Sequence, residues 1–226
     1  MRKFNLPTIG TALIFLFILS FLTIGGCDVD FGGGGDDNGG GGGGSSDPEM
    51  VEGTITDIIP DQDTQGIMVV ITNDDNVEFT DTSNTAGFFS VTSLSGTFAG
   101  TPTLEFFDTT STLLAIINIT VFPTARVELG NVTLENGTII FSDPTEVTFE
   151  GDVITNNCVT NSGSIEVEAK REGVTTDVIV QVSSSTDVLR DGDEILCEEL
   201  LIGQTVQVRG DLLQGDSVDA DFIDLE

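Results

Sequence analysis

Hydrophobic and polar positions divide the chain into three stretches with different patterns. Residues 11–24 are almost entirely apolar, and residues 28–49 are dominated by glycine with a single large apolar residue, Phe31. From position 50 onward, short runs alternate between apolar and polar residues, with the period of two that is typical of β-strands. Asp, Asn and Gly turn signals separate these runs, so the sequence predicts an all-β protein of one large or two small domains.

The first set of strands lies between residues 51 and 141. The run "VEGTITDII" alternates, with Val51, Gly53, Ile55 and Asp57 on one face, whereas "GIMVVIT" is a continuous apolar run that suits a strand covered on both faces. The later runs are "NVEFTDT", "GFFSVTSL", "TPTLEFFDT", "TLLAIINITVF" and "ARVELGNVTL". About seven strands with this spacing predict a β-sandwich.

Three phrases in residues 50–141 resemble the carboxypeptidase regulatory-like domain: "VEGTI", "GIMVVI" and the hairpin "TDTSNTAGFFSVTSLSG". The run "ARVELGNVTL" is similar to the closing strand of that family. The resemblance implies a Greek-key, transthyretin-like β-sandwich related to carbohydrate-binding-like folds, with Gly87 in a turn and Phe89 in the core. It carries over no ligand-binding residue.

A second set of strands follows Ser142-Asp143-Pro144, so we predict a second domain over residues 143–226. Its runs "LLIGQTVQVRG" and "GDSVDADFIDLE" resemble a bacterial domain family of unknown function that has a small OB-like β-barrel. The resemblance implies that Val206 and Val208 face the barrel interior. OB barrels often bind nucleic acid or sugars. Nucleic acid is not an expected partner here, because basic residues are few and Trp and Tyr are absent.

The N-terminal residues have the features of a secretory signal. Arg2 and Lys3 precede an apolar run that is shorter than a bilayer-spanning helix, and Gly25 and Gly26 follow it. Ile-Gly-Gly-Cys, which ends at Cys27, resembles the lipobox of bacterial lipoproteins. The resemblance implies a signal peptide over residues 1–26, with Cys27 as the first mature residue, acylated by chains such as palmitate. An ordinary signal peptide or an uncleaved anchor are the alternatives.

Residues 27–49 are predicted to be the acylated cysteine and a disordered tether, because so few apolar residues cannot offset the entropy of ordering. A coil of this length spans roughly 25 Å. The expected location is therefore the cell envelope, as a membrane-anchored lipoprotein of the outer membrane. Display on the cell surface and a spacer role on the periplasmic face both remain open.

The charge balance is strongly acidic. All 38 acidic residues and only five of the seven basic ones lie after Cys27. Such a chain is repelled by nucleic acid and by anionic lipid headgroups, so we expect the lipid anchor to be its link to the membrane.

Cys158 and Cys197 form the remaining pair of cysteines if Cys27 is acylated. Export allows oxidation, and both positions fall just outside predicted strands, so we predict a disulfide between them. A redox or metal role is the alternative, although no C-x-x-C motif and no histidine accompany them.

No catalytic constellation is apparent in the sequence, and we expect neither enzymatic activity nor a cofactor. Histidine is absent, and the only lysine after Cys27, Lys170, lies on a predicted solvated hairpin. The segment "DQDTQG" begins like a calcium loop with Asp61 and Asp63, but Thr72 takes the place of its final carboxylate, so a polar turn is the expected structure and these two residues are weak metal candidates.

The expected function is a structural, adhesive or binding role in the cell envelope, with a glycan or another envelope protein as the partner. A carbohydrate-binding lipoprotein is the first alternative, and a calcium-dependent scaffold is a less favoured one.

Overall fold

The computed structural model of the protein describes residues 48–60 and 62–226, which all belong to one compact unit. No helix in these ranges is long and apolar enough to cross a membrane. The regular elements are fifteen strands and a 3-10 helix at Cys197–Glu199: β1 (Met50–Ile59), β2 (Met68–Thr72), β3 (Glu78–Thr82), β4 (Phe88–Thr92), β5 (Thr103–Phe107), β6 (Leu113–Asn118), β7 (Arg126–Glu135), β8 (Thr138–Phe141), β9 (Glu146–Asn156), β10 (Gly163–Arg171), β11 (Val174–Val182), β12 (Asp187–Arg190), β13 (Asp193–Glu194), β14 (Thr205–Leu212) and β15 (Ser217–Leu225).

Strands β1–β8 form a sandwich of two sheets, with the orders β4-β1-β7-β8 and β3-β2-β5-β6. Val51 and Phe89 point inward from the first sheet, Ile71 and Phe106 point inward from the second, and all four side chains are fully buried. The rings of Phe89 and Phe106 meet edge to face with their centroids 5.5 Å apart, which is a favoured aromatic geometry. The predicted core position of Phe89 is therefore confirmed.

A β-bulge interrupts the alternation of β1. The register against β7 shifts between Ile55 and Asp57, and the inward position passes to Ile58 while Asp57 is exposed. The prediction that Asp57 shares one face of the strand with Val51, Gly53 and Ile55 was therefore wrong. One additional residue in a strand moves every following side chain to the opposite face.

The turn before β4 requires a glycine at position 87. Gly87 has a φ of +77°, and a Cβ at this position would lie 2.1 Å from the carbonyl oxygen of Ile55. The side-chain oxygen of Asn84 accepts hydrogen bonds from the N–H groups of Ala86 and Phe88, which closes the turn. The predicted turn role of Gly87 is confirmed.

Strands β9, β10, β11, β15 and β14 close into a five-stranded barrel, because β14 pairs with β9 as well as with β15. All neighbouring pairs are antiparallel except β11 and β15, which run parallel. Val206 and Val208 are fully buried in the barrel interior beside Phe149 and Ile223. The fold is therefore all-β, with a sandwich followed by a small OB-like barrel, as the sequence predicted.

The sandwich and the barrel share one continuous sheet. The C-terminal half of β7 pairs with β8, and its N-terminal residues 126–128 pair with residues 146–148 of β9. Strand β8 ends at Phe141 and β9 begins at Glu146, so a short connection leads from the sandwich to the barrel.

A buried ion pair joins Glu49, the residue before β1, to Arg171, the last residue of β10. The Glu49 carboxylate is fully buried, and its Oε2 lies 2.7 Å from Nη1 of Arg171, whose side chain is 7% exposed. Ser93, just after β4, donates to the same carboxylate oxygen at 2.5 Å, and its carbonyl accepts from Arg171 Nη2 at 3.1 Å. Thr97 donates to Glu49 Oε1 at 2.8 Å. Both charged groups are thus fully engaged by partners from distant parts of the chain.

The position of these two charges differs from the sequence prediction. Residue 49 was assigned to the tether, but the structure includes Glu49 in the folded part. Arg171 follows Lys170 on a hairpin that was expected to be solvated, and Lys170 is indeed half exposed beside Glu168 and Asp152. Arg171 instead points inward, on the same face as the buried residue Ala169.

The predicted disulfide between Cys158 and Cys197 is present, with a Cα–Cα distance of 5.9 Å. It links the β9–β10 loop to the 3-10 helix that precedes β14. Asn156 reinforces this link, because its side-chain N–H groups donate to the carbonyl oxygens of Cys197 and Leu200. One end of the barrel is therefore held by covalent and polar contacts as well as by strand pairing.

Removing one partner of the buried ion pair should strongly destabilise the fold. In Arg171→Met the Glu49 carboxylate stays buried without a counter-charge, and we expect the free energy of unfolding to fall by about 3–5 kcal/mol. The double variant Glu49→Gln/Arg171→Met should lose less than the sum of the two single changes, since no charge remains uncompensated. Urea unfolding measures both effects. Lys170→Met is the control, and an equal effect of Lys170→Met and Arg171→Met would contradict the assignment.

The disulfide should contribute to stability by restricting the unfolded chain. We expect Cys158→Ala/Cys197→Ala to lower the free energy of unfolding by about 2–4 kcal/mol, as estimated for a closed loop of this length. Thermal unfolding under non-reducing conditions measures the change, with the exposed Ser162→Ala as the control. Alkylation of both thiols in protein isolated without reductant would show that the bridge does not form.

Candidate functional site

The basic side chains of the described residues are all engaged by acidic or carbonyl groups of the same chain. Lys170 contacts Glu168, and the guanidinium groups lie against carboxylates or a carbonyl oxygen. The arginine contacts are Arg126 with Glu52 and Glu128, Arg171 with Glu49, Arg190 with the Glu199 carbonyl, and Arg209 with Glu146 and the Phe222 ring.

The outer face of the barrel is acidic where OB folds commonly bind their ligands. Glu166 and Glu168 project outward from β10, and Asp177 on β11 lies directly opposite Glu168. Asp152 on β9 faces Glu168 from the other side, and Lys170 contacts both carboxylates. A hydrogen bond with Glu168 raises the pKa of Lys170 and favours its charged form. This face has neither the aromatic rings nor the basic groove that single-stranded nucleic acids require.

The outer face of the sandwich carries the most exposed aromatic ring of the described residues. Phe88 is 40% exposed and lies at the end of a row in which Phe88, Thr54 and Asn131 are neighbours across β4, β1 and β7. Glu52 and Glu128 occupy the next row. Together these side chains line a shallow pocket of about 240 Å³. A flat ring beside planar polar groups is a combination that suits a small polar ligand.

A larger cleft of about 330 Å³ lies beside this pocket, where the sandwich joins the barrel. Arg126 and Thr148, which are paired across β7 and β9, line it together with Pro48 and Met50. The hydrogen bond between Arg126 and Glu52, 2.6 Å long, raises the pKa of the guanidinium. Arg126 therefore remains charged and is held toward the sandwich face by Glu52.

Of the two weak metal candidates, Asp61 and Asp63, the structure describes only Asp63. Asp61 lies outside the described residues, and the Asp63 carboxylate accepts a hydrogen bond from the backbone N–H of Gln65. This contact is typical of an Asx turn, in which the side chain closes its own loop. Among the described residues, no group of three or more acidic or cysteine side chains is arranged to hold a metal ion.

The structure describes some of the other residues that the sequence singled out, but not all of them. Cys27 lies outside the described residues, so its acylation stays a prediction. Cys158 and Cys197 are joined as predicted. Phe88 was missed, although its signal was present: in "GFFSVTSL" the alternation that buries Phe89 places Phe88 on the opposite, outer face.

Comparisons of the chain with protein-family models, with curated proteins and with solved structures found no match. The three resemblances stated for the sequence, to the lipoprotein lipobox and to the two domain families, therefore stay predictions.

Proposed function

We propose that this chain is a non-enzymatic lipoprotein of the cell envelope, with a structural, adhesive or binding role. The N-terminal run of positive, apolar and small residues that ends at Cys27 supports the envelope location. The absence of histidine from the sequence and the engagement of every basic side chain after Cys27 support a role without catalysis.

The buried Glu49–Arg171 pair is the observation that carries this proposal. Glu49 lies only two residues after the last undescribed N-terminal residue, and it is bonded both to the sandwich through Ser93 and to the barrel through Arg171. Any load applied through the predicted tether is therefore transmitted to both parts of the fold at once. A fold whose two parts are fixed relative to each other suits a protein that presents a binding surface. Its two parts are already ordered, so binding a partner costs no further entropy for ordering them.

Cys27→Ala tests the anchor and the role together. Carbodiimide couples the many carboxylates of this chain to lysine amines of a neighbouring protein, whereas amine-specific reagents would find only Lys170 and the N-terminus. With the natural sequence we expect acyl labelling, membrane fractionation and a discrete coupled product in intact envelopes. Cys27→Ala should abolish the labelling and leave residues 1–26 uncleaved, and it should remove the coupled product, because the unprocessed precursor is not delivered to the natural position of the chain in the envelope.

Two outcomes would contradict the proposal. Acyl labelling that persists in Cys27→Ala would place the anchor elsewhere. A natural chain that fractionates away from the envelope, or that shows no coupled product above the Cys27→Ala background, would argue against an envelope binding role.

Glycan binding is a second candidate function, and the pocket beside Phe88 is the observation that favours it. The C–H face of a sugar ring could pack on the exposed phenyl ring, and Glu52, Glu128 and Asn131 could accept and donate hydrogen bonds to its hydroxyl groups. Neutral or amino sugars fit this pocket better than acidic ones, because its carboxylates would repel a uronic acid.

Phe88→Ala tests this candidate on a polysaccharide array probed with the full chain. We expect at least about tenfold weaker binding to any recognised glycan, from the loss of the apolar ring contact. Leu94→Ala is the matched control, because Leu94 is 87% exposed on the same sandwich and lies outside the pocket. Equal binding by the two variants, or no binding by the natural chain, would exclude glycan recognition at Phe88.

A further inference from the structure

Four large apolar side chains are exposed together at one end of the barrel. Val159 is 72% exposed, Leu196 48%, Leu201 62% and Ile202 71%. We call these four residues the apolar end patch. Val159 is adjacent in sequence to Cys158, and Leu196 is adjacent to Cys197, so the disulfide lies between them. Leu201 and Ile202 directly follow Leu200, whose carbonyl accepts from Asn156.

The apolar end patch is fixed in place by contacts that do not bury it. Besides the disulfide, Asn161 joins its two segments: the side-chain oxygen accepts from the N–H of Cys197, and its own N–H donates to Glu198. The side-chain oxygen of Gln204 accepts from the N–H of Leu201 and holds the loop before β14. A surface ordered in advance loses less entropy when it binds.

The segments that form the apolar end patch differ in composition from two other loops of the same unit. The β5–β6 loop is "DTTST" and the β11–β12 loop is "SSST", both without a large apolar side chain. Exposed apolar residues contribute little to folding, and a group of them on a monomer commonly marks a contact surface. The apolar end patch therefore has no evident role in holding the barrel together.

Carboxylates surround the patch. Asp193 and Glu194 precede Leu196, and Glu198 and Glu199 follow Cys197; all four are exposed. The one basic side chain nearby, Arg190, is bonded to the Glu199 carbonyl. The rim thus carries a net negative charge around an apolar centre.

This charge pattern selects among the partners that could cover the patch. A second copy of the chain would bring an identical acidic rim against the first, and an anionic membrane would also be repelled.

The patch is also distant from the cleft beside Pro48. Thr148 lines that cleft, and the patch lies roughly 25 Å from Thr148 along β9, at about 3.3 Å per residue. It is therefore remote from the point at which the N-terminal segment joins the fold.

We propose that the apolar end patch is a docking surface for a protein segment that presents apolar side chains flanked by lysine or arginine. This inference rests on the proposed binding role and specifies its partner. The apolar side chains of the segment cover Leu201, Ile202 and Val159, and its cations face the rim carboxylates. Because the disulfide and Asn161 hold the surface, binding requires little rearrangement of the loops.

Synthetic peptides of defined sequence test this surface directly. The full chain, held in phosphatidylcholine nanodiscs, is titrated into a fluorescent peptide of alternating leucine and lysine, and anisotropy gives the Kd. A second peptide replaces each leucine with serine, and a third replaces each lysine with glutamate. We expect the leucine–lysine peptide to bind at least about tenfold more tightly than either of the others, since each lacks one half of the recognition.

Variants then place the binding on the molecule. Leu201→Ser/Ile202→Ser should weaken binding of the leucine–lysine peptide at least about fivefold, and Asp193→Asn/Glu194→Gln should weaken it about threefold, because each removes one component of the contact. Leu94→Ser, on the sandwich, should leave the Kd unchanged. Circular dichroism and the intact disulfide verify that each variant is folded.

Three results would overturn the inference. An unchanged Kd for Leu201→Ser/Ile202→Ser would show that the peptide binds the acidic surface in general. An equal loss in Leu94→Ser would show unspecific apolar contact. A dimer of the natural chain in sedimentation analysis that is absent in Leu201→Ser/Ile202→Ser would assign the patch to self-association. Nanodiscs retain the chain by either an acyl group or an uncleaved anchor, so these results are independent of the outcome at Cys27.

Discussion

The buried pair of Glu49 and Arg171 is the contact on which the arrangement of the whole fold depends. Both charges are removed from water, so their attraction must offset a large desolvation cost, and Ser93 and Thr97 supply the additional hydrogen bonds that make this feasible. Apolar residues of similar volume could fill the same space with comparable stability. Unlike apolar residues, the charged pair restricts the packing to one position, because any shift of the β10–β11 hairpin against the sandwich would leave a charge unpaired.

This constraint complements the shared sheet between the sandwich and the barrel. Only residues 126–128 of β7 pair with β9, and the contacts of Thr124 with Glu150 and of Phe122 with Phe149 extend this connection. The ion pair adds a second connection 122 residues apart in sequence, through the hairpin tip and the start of β1. Contacts at the β7–β9 connection and at the β10–β11 hairpin together resist rotation of the barrel against the sandwich, so the cleft beside Arg126 keeps a defined shape.

Much of the fold could be predicted from the alternation of residue types, and the same alternation contained information that was not used. Glu49 is in phase with the buried positions Val51, Gly53 and Ile55, just as Arg171 is in phase with the inward side of β10. A charged residue in such a position is normally assigned to a solvated strand end, because a single sequence does not reveal which opposite charge pairs with it.

The bulge at Asp57 also could not be predicted, since the strand on which its register depends lies more than 70 residues away. The run "LLIGQ" was included in the predicted strand that corresponds to β14, whereas β14 begins at Thr205. In the preceding turn Leu200 is buried, but Leu201 and Ile202 are exposed.

The acidic surface limits which partners can approach but does not by itself distinguish among them. Since each basic side chain after Cys27 already contacts a group of its own chain, the free charges at the surface are negative, and attraction extends to any cationic molecule. Charge of this kind accelerates encounter, is weakened by salt and gives little specificity. Discrimination must then come from short-range contacts of defined shape, such as those that the Phe88 pocket and the apolar end patch offer. The disulfide and the asparagine contacts hold the segments of the apolar end patch together, and a surface ordered in advance loses less entropy on binding, which favours the proposed segment over other cationic molecules.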